Sequence, residues 1–309
     1  MWFKNLHIFR LLEPFALSPE ALHEELSKAI FHSCGRMDME SFGWIPPLGG
    51  ENESLTYTYN NCILFTLRKE EKILPASVVR EFVNEKVEEI ETQNMRKVRK
   101  REKDDIREEI LQDLIPRAFT RSHYLSAYLD VTHNWLLIDT GSRKKAEELT
   151  QFLRTTLGSL PIISPQLGEK LDSVMTGWLV NDNELPHDLE LADACVLMDK
   201  AQEGAIVNCK RQDLQAKEIQ GHLAAGKSVI RLALQWDERL GFVIDNELVI
   251  RRIQLLELVQ SQLHENEADT PELRFEADFQ IMTTELTRLI TRLFEIFGGE
   301  DEAAYAKKR

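Results

Sequence analysis

The spacing of apolar and polar positions changes along the chain, and each period predicts an element. Residues 2–12, Trp2 to Leu12, mix aromatic and branched side chains with polar ones at intervals, which predicts a strand. Ser18-Pro19-Glu20 opens a helix, with serine as N-cap and proline in the first turn, and Leu22, Leu26 and Ala29-Ile30 form its apolar face. Phe42-Gly43-Trp44-Ile45-Pro46-Pro47, followed by Gly49-Gly50, is expected to be a rigid loop. Leu55–Tyr59 and Cys62–Leu67 predict a hairpin turning at Asn60-Asn61.

After Pro75 the period becomes helical. Val79, Val83, Val87 and Ile90 mark one face; Ile106, Ile110, Leu111 and Leu114 mark a second. At ~100° per residue the two faces differ by ~140°, so one straight helix cannot bury both against one surface. Two helices with a break near Glu102–Asp105 resolve this, with Asp105 and Glu108 resembling a capping box. Residues 76–121 are thus expected to form a projecting helical hairpin.

Beyond it, Tyr124–Val131 and Trp135–Asp139 read as strands joined at His133-Asn134. A helix over Lys144–Leu157 ends at Gly158, and Leu171–Val180 is another. Leu191–Cys209 holds two strands around Glu203-Gly204, Lys217–Ala225 a helix, and Ser228–Trp236, Gly241–Ile244 and Leu248–Ile253 a meander. Gln262–Thr270 is polar and linker-like. Phe275, Phe279, Met282, Leu286, Leu289, Leu293 and Ile296 then form the seam of a long helix that closes at Gly298-Gly299. Packing into the chain's own core is preferred for it over a partner helix. The order predicts an α+β fold, antiparallel sheets with helices packed on them. Its parts are a central region over 1–75 and 122–165, the hairpin over 76–121, and a C-terminal region over 166–309.

Composition narrows the class. A chain of 309 residues, 43% hydrophobic and 29% charged, suits a folded protein of two or three units. No stretch reaches the ~20 apolar residues a membrane span requires, and Met1-Trp2-Phe3-Lys4 does not open like a signal peptide, so a cytoplasmic address is expected. Cys34, Cys62, Cys195 and Cys209 are scattered without a C-x-x-C pair, and the eight histidines are dispersed. Neither a metal site nor any other cofactor is expected.

The net charge of −14 argues against nucleic acid wrapped over the whole surface, but charge beyond a Debye length of ~8 Å is screened, so a local basic patch can still act. Arg96, Lys97, Arg99, Lys100, Arg101 and Lys103 form the densest basic run; helical spacing would place Arg96, Arg99, Lys100 and Lys103 in a stripe within ~100°. Lys210-Arg211-Gln212 is a smaller cluster at an expected strand end. Each suits phosphate neutralisation or a merely solvated surface. Arg117 and Arg121 suit phosphate contacts or a frame for Phe119, which could stack on bases or fill a pocket on a partner subunit.

Gly221 to Ser228 matches the phosphate-binding pattern G-x-x-x-x-G-K-[ST], but a helix precedes it and a strand follows, the reverse of what cradles a nucleotide. Gly226 reads as a helix terminator and ATP hydrolysis at Lys227 as a decoy. No nucleophile elbow, zinc-protease helix or dinucleotide turn is present, and no carboxylate pair stands out as a nuclease centre. The chain is not expected to be an enzyme.

Taken together, the motifs resemble the RdgC recombination-associated proteins of bacteria. The resemblance runs through Trp2-Phe3-Lys4-Asn5-Leu6, Gly43-Trp44-Ile45-Pro46-Pro47, the segments 68–75 and 114–119, Lys144-Lys145-Ala146-Glu147, the segment 157–161, Arg211-Gln212-Asp213-Leu214, Ala225-Gly226-Lys227 and Phe275–Phe279. It implies a non-enzymatic, sequence-independent binder of double-stranded DNA, and less strongly of single strands. It further implies a nucleoid-associated, ring-shaped homodimer that encircles DNA, restrains the recombinase RecA and assists replication. On that resemblance Phe119 belongs to the contact closing the ring, and Lys210, Arg211 and Gln212 to DNA binding; the 96–103 run matches in character only, and Gly221 lies outside the family pattern. The rival from another class is a protein-interaction module, docking through the hairpin and the 275–296 seam.

Overall fold

The computed structural model describes residues 2–50, 52–181, 184–199, 204–265 and 270–306. In chain order it begins with β1 (Asn5–Leu11), α1 (Pro19–Ser27), β2 (Glu40–Ile45), β3 (Tyr57–Tyr59) and β4 (Cys62–Lys72). Helices α2 (Ala76–Asn94) and α3 (Lys100–Leu114) follow, then β5 (Thr120–Asp130), β6 (Trp135–Ile138), α4 (Arg143–Leu157) and the short β7 (Ile162–Ile163). The remainder is α5 (Leu171–Val180), β8 (Leu189–Met198), β9 (Ile206–Lys210), α6 (Lys217–Ala224), β10 (Ser228–Trp236), β11 (Leu240–Asp245), β12 (Ile250–Leu255), α7 (Glu257–Glu265), α8 (Pro271–Ile296) and α9 (Glu302–Ala306). The class is α+β with antiparallel strands. The chain divides into two compact units, residues 1–22, 56–64 and 126–309 in the first and residues 23–55 and 65–125 in the second.

In the first unit the strands run β9-β8-β10-β11-β12-β1-β6-β5, each antiparallel to its neighbour. Period-two alternation sets its core. Leu232, Leu234 and Trp236 of β10, Leu240, Phe242 and Ile244 of β11, and Leu6 and Ile8 of β1 are buried at every second position. They pack with Met175, Trp178 and Leu179 of α5 and with Phe279, Met282, Leu286, Leu289 and Leu293 of α8. The predicted seam is therefore core. The Thr270 hydroxyl caps α8 by accepting from Leu273 N–H, and Gly298 and Gly299 (φ +85° and +77°) end it. The β3–β4 hairpin turns as expected, Asn60 and Asn61 both taking positive φ (44° and 62°) as a two-residue primed turn requires. Ser142 caps α4 and left-handed Gly158 ends it.

One expectation fails here. Gln262–Thr270 is not simply a linker, because α7 extends to Glu265, anchored by fully buried Val259; residues 266–269 lie outside the described residues. The turn expected at Glu203-Gly204 is described only from Gly204 onward, which takes the left-handed conformation.

The second unit pairs β2 with β4, Glu40–Ile45 against Thr66–Glu71. A strand thus stands where glycine and proline suggested a loop. The glycine serves close backbone approach instead: a Cβ on Gly43 would sit 2.1 Å from Phe31 Cα. Trp44 is fully buried edge-on against Phe65, and its backbone exchanges hydrogen bonds with Ala29 and Phe31. The two-helix reading of 76–121 holds, and the apolar faces meet each other, Val79 and Val83 against Ile106, with Val87, Ile90, Ile110, Leu111 and Leu114 packed around them. The break falls earlier than expected. Met95 turns left-handed (φ 48°) to end α2, and α3 starts from Arg99, whose carbonyl accepts from Lys103 N–H. Asp105 and Glu108 are mid-helix and form no capping box.

One buried ion pair ties α8 to the β10–β11 turn. Arg239 donates to both oxygens of Glu285 at 2.6 and 2.7 Å, and Glu285 is only 2% exposed. Arg239→Met leaves that carboxylate largely uncompensated and should cost about 3 kcal/mol in urea unfolding, whereas adding Glu285→Met should restore most of the loss.

Candidate nucleic-acid interface

The basic run of 96–103 does not form a helical stripe. Arg96 and Lys97 lie in the inter-helix loop, Arg99 is the N-cap of α3, and Lys100, Arg101 and Lys103 ride its first turn. All six are exposed, but three are engaged. Arg96 donates to both oxygens of Glu102 at 2.7 and 2.8 Å, Lys97 donates to Glu91 at 2.7 Å, and Lys103 to Asn84. Glu91 also accepts from Val98 N–H at 2.9 Å. Those hydrogen bonds hold the Glu91 and Glu102 carboxyls below the usual range and draw the loop together. Arg99, Lys100 and Arg101 make no salt bridge among the described residues.

A single 3₁₀ turn, Ile115–Arg117, then delivers an exposed strip. Phe119 is 85% exposed and held by its backbone, its carbonyl accepting from Ile73 N–H at 2.7 Å. Arg117 and Arg121 are also exposed on either side. Nearby, Arg68 lies 4.1 Å from the Phe31 ring centre and donates to Ser122 Oγ.

The third cluster lies in the first unit. Lys210 ends β9 opposite Ala194, and Arg211 turns left-handed (φ 54°), which separates the fates of the three residues. Lys210 borders a concavity of ≈ 390 Å³ on the sheet face opposite α5 and α8, together with Arg231, Arg251 and Arg252. Asn5 and Asn208 also line it, and among the described residues no carboxylate or aromatic ring does. Gln212 borders a different hollow, beside Glu190, Asp193 and Asp213. The structure thus sets Lys210 among cations and Gln212 among acids.

Arg231, Arg251 and Arg252 were missed by sequence reasoning, although a signal existed. Ile250-Arg251-Arg252-Ile253 breaks strict alternation, since consecutive strand residues ordinarily face opposite sides. A β-bulge explains it. The register steps from Gly241↔Gln254 to Val243↔Arg251, and Arg252 takes positive φ (52°), so both arginines border one concavity.

The phosphate-loop look-alike is spent on helix termination. Ala225, Gly226 and Lys227 N–H donate to the carbonyls of Gly221, Leu223 and His222, and Gly226 is left-handed (φ 89°). Lys227 faces Asp199 at 3.7 Å and is half-buried. The amides a nucleotide would need are therefore already used. Among the described residues no group of three or more histidines, cysteines or carboxylates is placed to hold a metal, and no helix is long and apolar enough to cross a membrane.

Comparison with known proteins places these features in context. Residues 1–300 match the family model described as "Putative exonuclease, RdgC". The chain is similar to the "Recombination-associated protein RdgC" of Aeromonas hydrophila, 41% identical over 303 residues that cover 98% of this chain and 100% of the relative. The proteins of the same description from Psychromonas ingrahamii and Pseudomonas putida are each 40% identical, covering 97% of this chain and 99% and 98% of theirs.

The geometry at Gly226 makes a simple prediction. Millimolar Mg-ATP should shift the melting temperature of the wild type and of Lys227→Ala alike, to within about 1 °C, because only a ligand bound at that loop would make the two differ. A clear upward shift that Lys227→Ala abolishes would restore the nucleotide reading.

Proposed function

The chain belongs to the RdgC family, and on that premise we propose that it binds double-stranded DNA without reading its sequence. It acts as a homodimer that closes around the duplex as a ring, restrains RecA-dependent strand exchange by occupying DNA, and works by binding rather than turnover. Single strands bind by the same contacts with fewer phosphates. Its working place is the nucleoid, where replication benefits from the same occupancy.

The observation that carries the reading is the open face of the first unit's sheet. An acidic chain of net charge −14 gathers Lys210, Arg231, Arg251 and Arg252 around one concavity that no carboxylate among the described residues lines. Cations so placed release counterions from a polyphosphate, which gives affinity without base reading. Arg211, and the unpaired Arg99, Lys100 and Arg101 of the hairpin, supply further phosphate contacts on this reading. Lys97, Arg96 and Lys103 join by exchanging their present partners. Gln212 contributes a neutral hydrogen bond. Phe119 fits a subunit contact, since an 85%-exposed aromatic flanked by Arg117 and Arg121 is what an interface anchor looks like when its partner is away.

Docking of a partner through the 275–296 seam loses its basis, because that seam is the chain's own core. The hairpin leaves the interaction-module reading its remaining surface, and DNA-independent association with RecA would favour it. The name of the matching family model favours a nuclease as the second reading. Both are tested alongside DNA binding.

Duplex affinity should fall ~10³–10⁵-fold between about 50 and 200 mM salt if six to ten phosphates are neutralised. Lys210→Glu with Arg211→Glu should weaken it at least about tenfold while the dimer stays intact by sedimentation. End-labelled duplex kept with the protein and Mg²⁺ or Mn²⁺ should retain its length; progressive shortening would establish the exonuclease. Phe119→Ala should shift the dimer toward monomer on dilution by about tenfold or more in concentration, read by sedimentation or mass photometry. An unchanged dimer would remove Phe119 from the contact.

A further inference from the structure

Arg231 stands in β10 directly across from Asp245 of β11, the carboxylate that would ordinarily pair with it. Asp245 is already committed elsewhere. Its Oδ1 accepts from Glu247 and Val249 N–H at 3.1 and 2.9 Å, and its Oδ2 from Arg251 Nε and Nη2 at 3.2 and 2.8 Å. Arg251 is further anchored on the Gly141 carbonyl. Arg231 is left over. Among the described residues its Nε is buried without a hydrogen-bond partner and its side chain makes no salt bridge. A charged side chain with no acceptor is costly to bury, and half-buried Arg231 borders the concavity, which leaves it open to an acceptor supplied from outside.

The neighbours show what that acceptor is. Arg252 is brought to the same concavity by the bulge and is exposed, and Lys210 enters from the end of β9; neither makes a salt bridge among the described residues. We propose that Arg231, Arg252 and Lys210 form a phosphate seat that takes one phosphodiester group of a nucleic-acid backbone lying across the sheet. This rests on the nucleic-acid reading above and names its contact residues. Two guanidinium forks and an ammonium match a tetrahedral anion with two free oxygens, each fork donating to one or both. A base would want a stacking ring or a carboxylate, and neither lines the concavity among the described residues. Arg251 has a different task. Bound to Asp245 and Gly141, it holds the bulge that presents Arg252, and so acts as a positioning residue.

The test separates the seat from the broader function. Inorganic phosphate should raise the melting temperature of the wild type above that in chloride of equal ionic strength, and Arg231→Gln should abolish the difference. Arg231→Gln and Arg252→Gln should each lower the slope of log affinity for duplex DNA against log salt by about one and weaken binding several-fold equally on all sequences. Arg231→Lys keeps the charge and loses the fork, so it should retain the slope and lose part of the affinity. Equal melting in phosphate and chloride, with both glutamine variants binding DNA like the wild type, would overturn the seat and leave the function standing. If Arg231→Gln fails to fold, exposed Arg252→Gln decides the DNA arm and wild-type phosphate stabilisation decides the other. A wild type that does not bind duplex even at low salt would overturn the functional reading, and the phosphate comparison would still judge the seat.

Discussion

The burial of one face of the first unit's sheet is the constraint on which the rest depends. Leu232 and Leu234, Phe242 and Ile244, and Leu6 and Ile8 face α5 and α8, and each such side chain contributes about 1.5–3 kcal/mol on leaving water. Because the strand repeat is two, fixing these positions fixes the others: Arg231, Val243, Arg251 and Asn208 must lie on the opposite face. A slip of one residue would put arginines into the core. The hydrophobic register therefore also sets the placement of the cations, and α8 stabilises their sheet from the opposite face.

The bulge at Arg252 modifies this rule at one point. Strict alternation would send Arg251 and Arg252 to opposite sides, whereas an added residue in β12 lets both border one concavity. A positive φ of 52° at an arginine is strained, and the backbone holds it there through Arg252 N–H on Asn5 Oδ1 and Ile253 N–H on the Lys4 carbonyl. Local strain is thus retained where two like charges converge, an arrangement that packing alone would not favour.

Much of this was legible in the sequence where a feature is local. Asn60-Asn61, Gly158 at the end of α4, and the four-and-three spacing from Phe279 to Leu293 each specify structure within a few residues, and each is found as expected. The two-helix reading of 76–121 was also sound, because it followed from geometry rather than from composition. What escaped depends on distant partners. Gly43 looks like a loop residue until Phe31 is placed against it, and the helix break is set by Glu91 and Glu102 reaching back over the loop rather than by Asp105. Of the candidate binding residues, Lys210 could be named from its charge cluster, whereas Arg231 is an ordinary strand arginine until Asp245 is seen to be taken by Arg251.

That last case separates cations that are present from cations that are available. The 96–103 run has the highest charge density in the chain, yet Glu91 and Glu102 already bind two of its members, and a phosphate must displace them before it gains anything. The P-loop look-alike fails by the same criterion: its letters are right, but its amides are occupied by the carbonyls of α6. The sheet concavity is poorer in charge and richer in unsatisfied charge, since the one carboxylate opposite Arg231 is spent on a neighbour. Affinity for an anion follows the second quantity, because a donor that is already paired exchanges one bond for another while an orphaned donor only gains. By that criterion the arginines that the fold leaves without partners among the described residues are better placed to take an anion than the longest basic run.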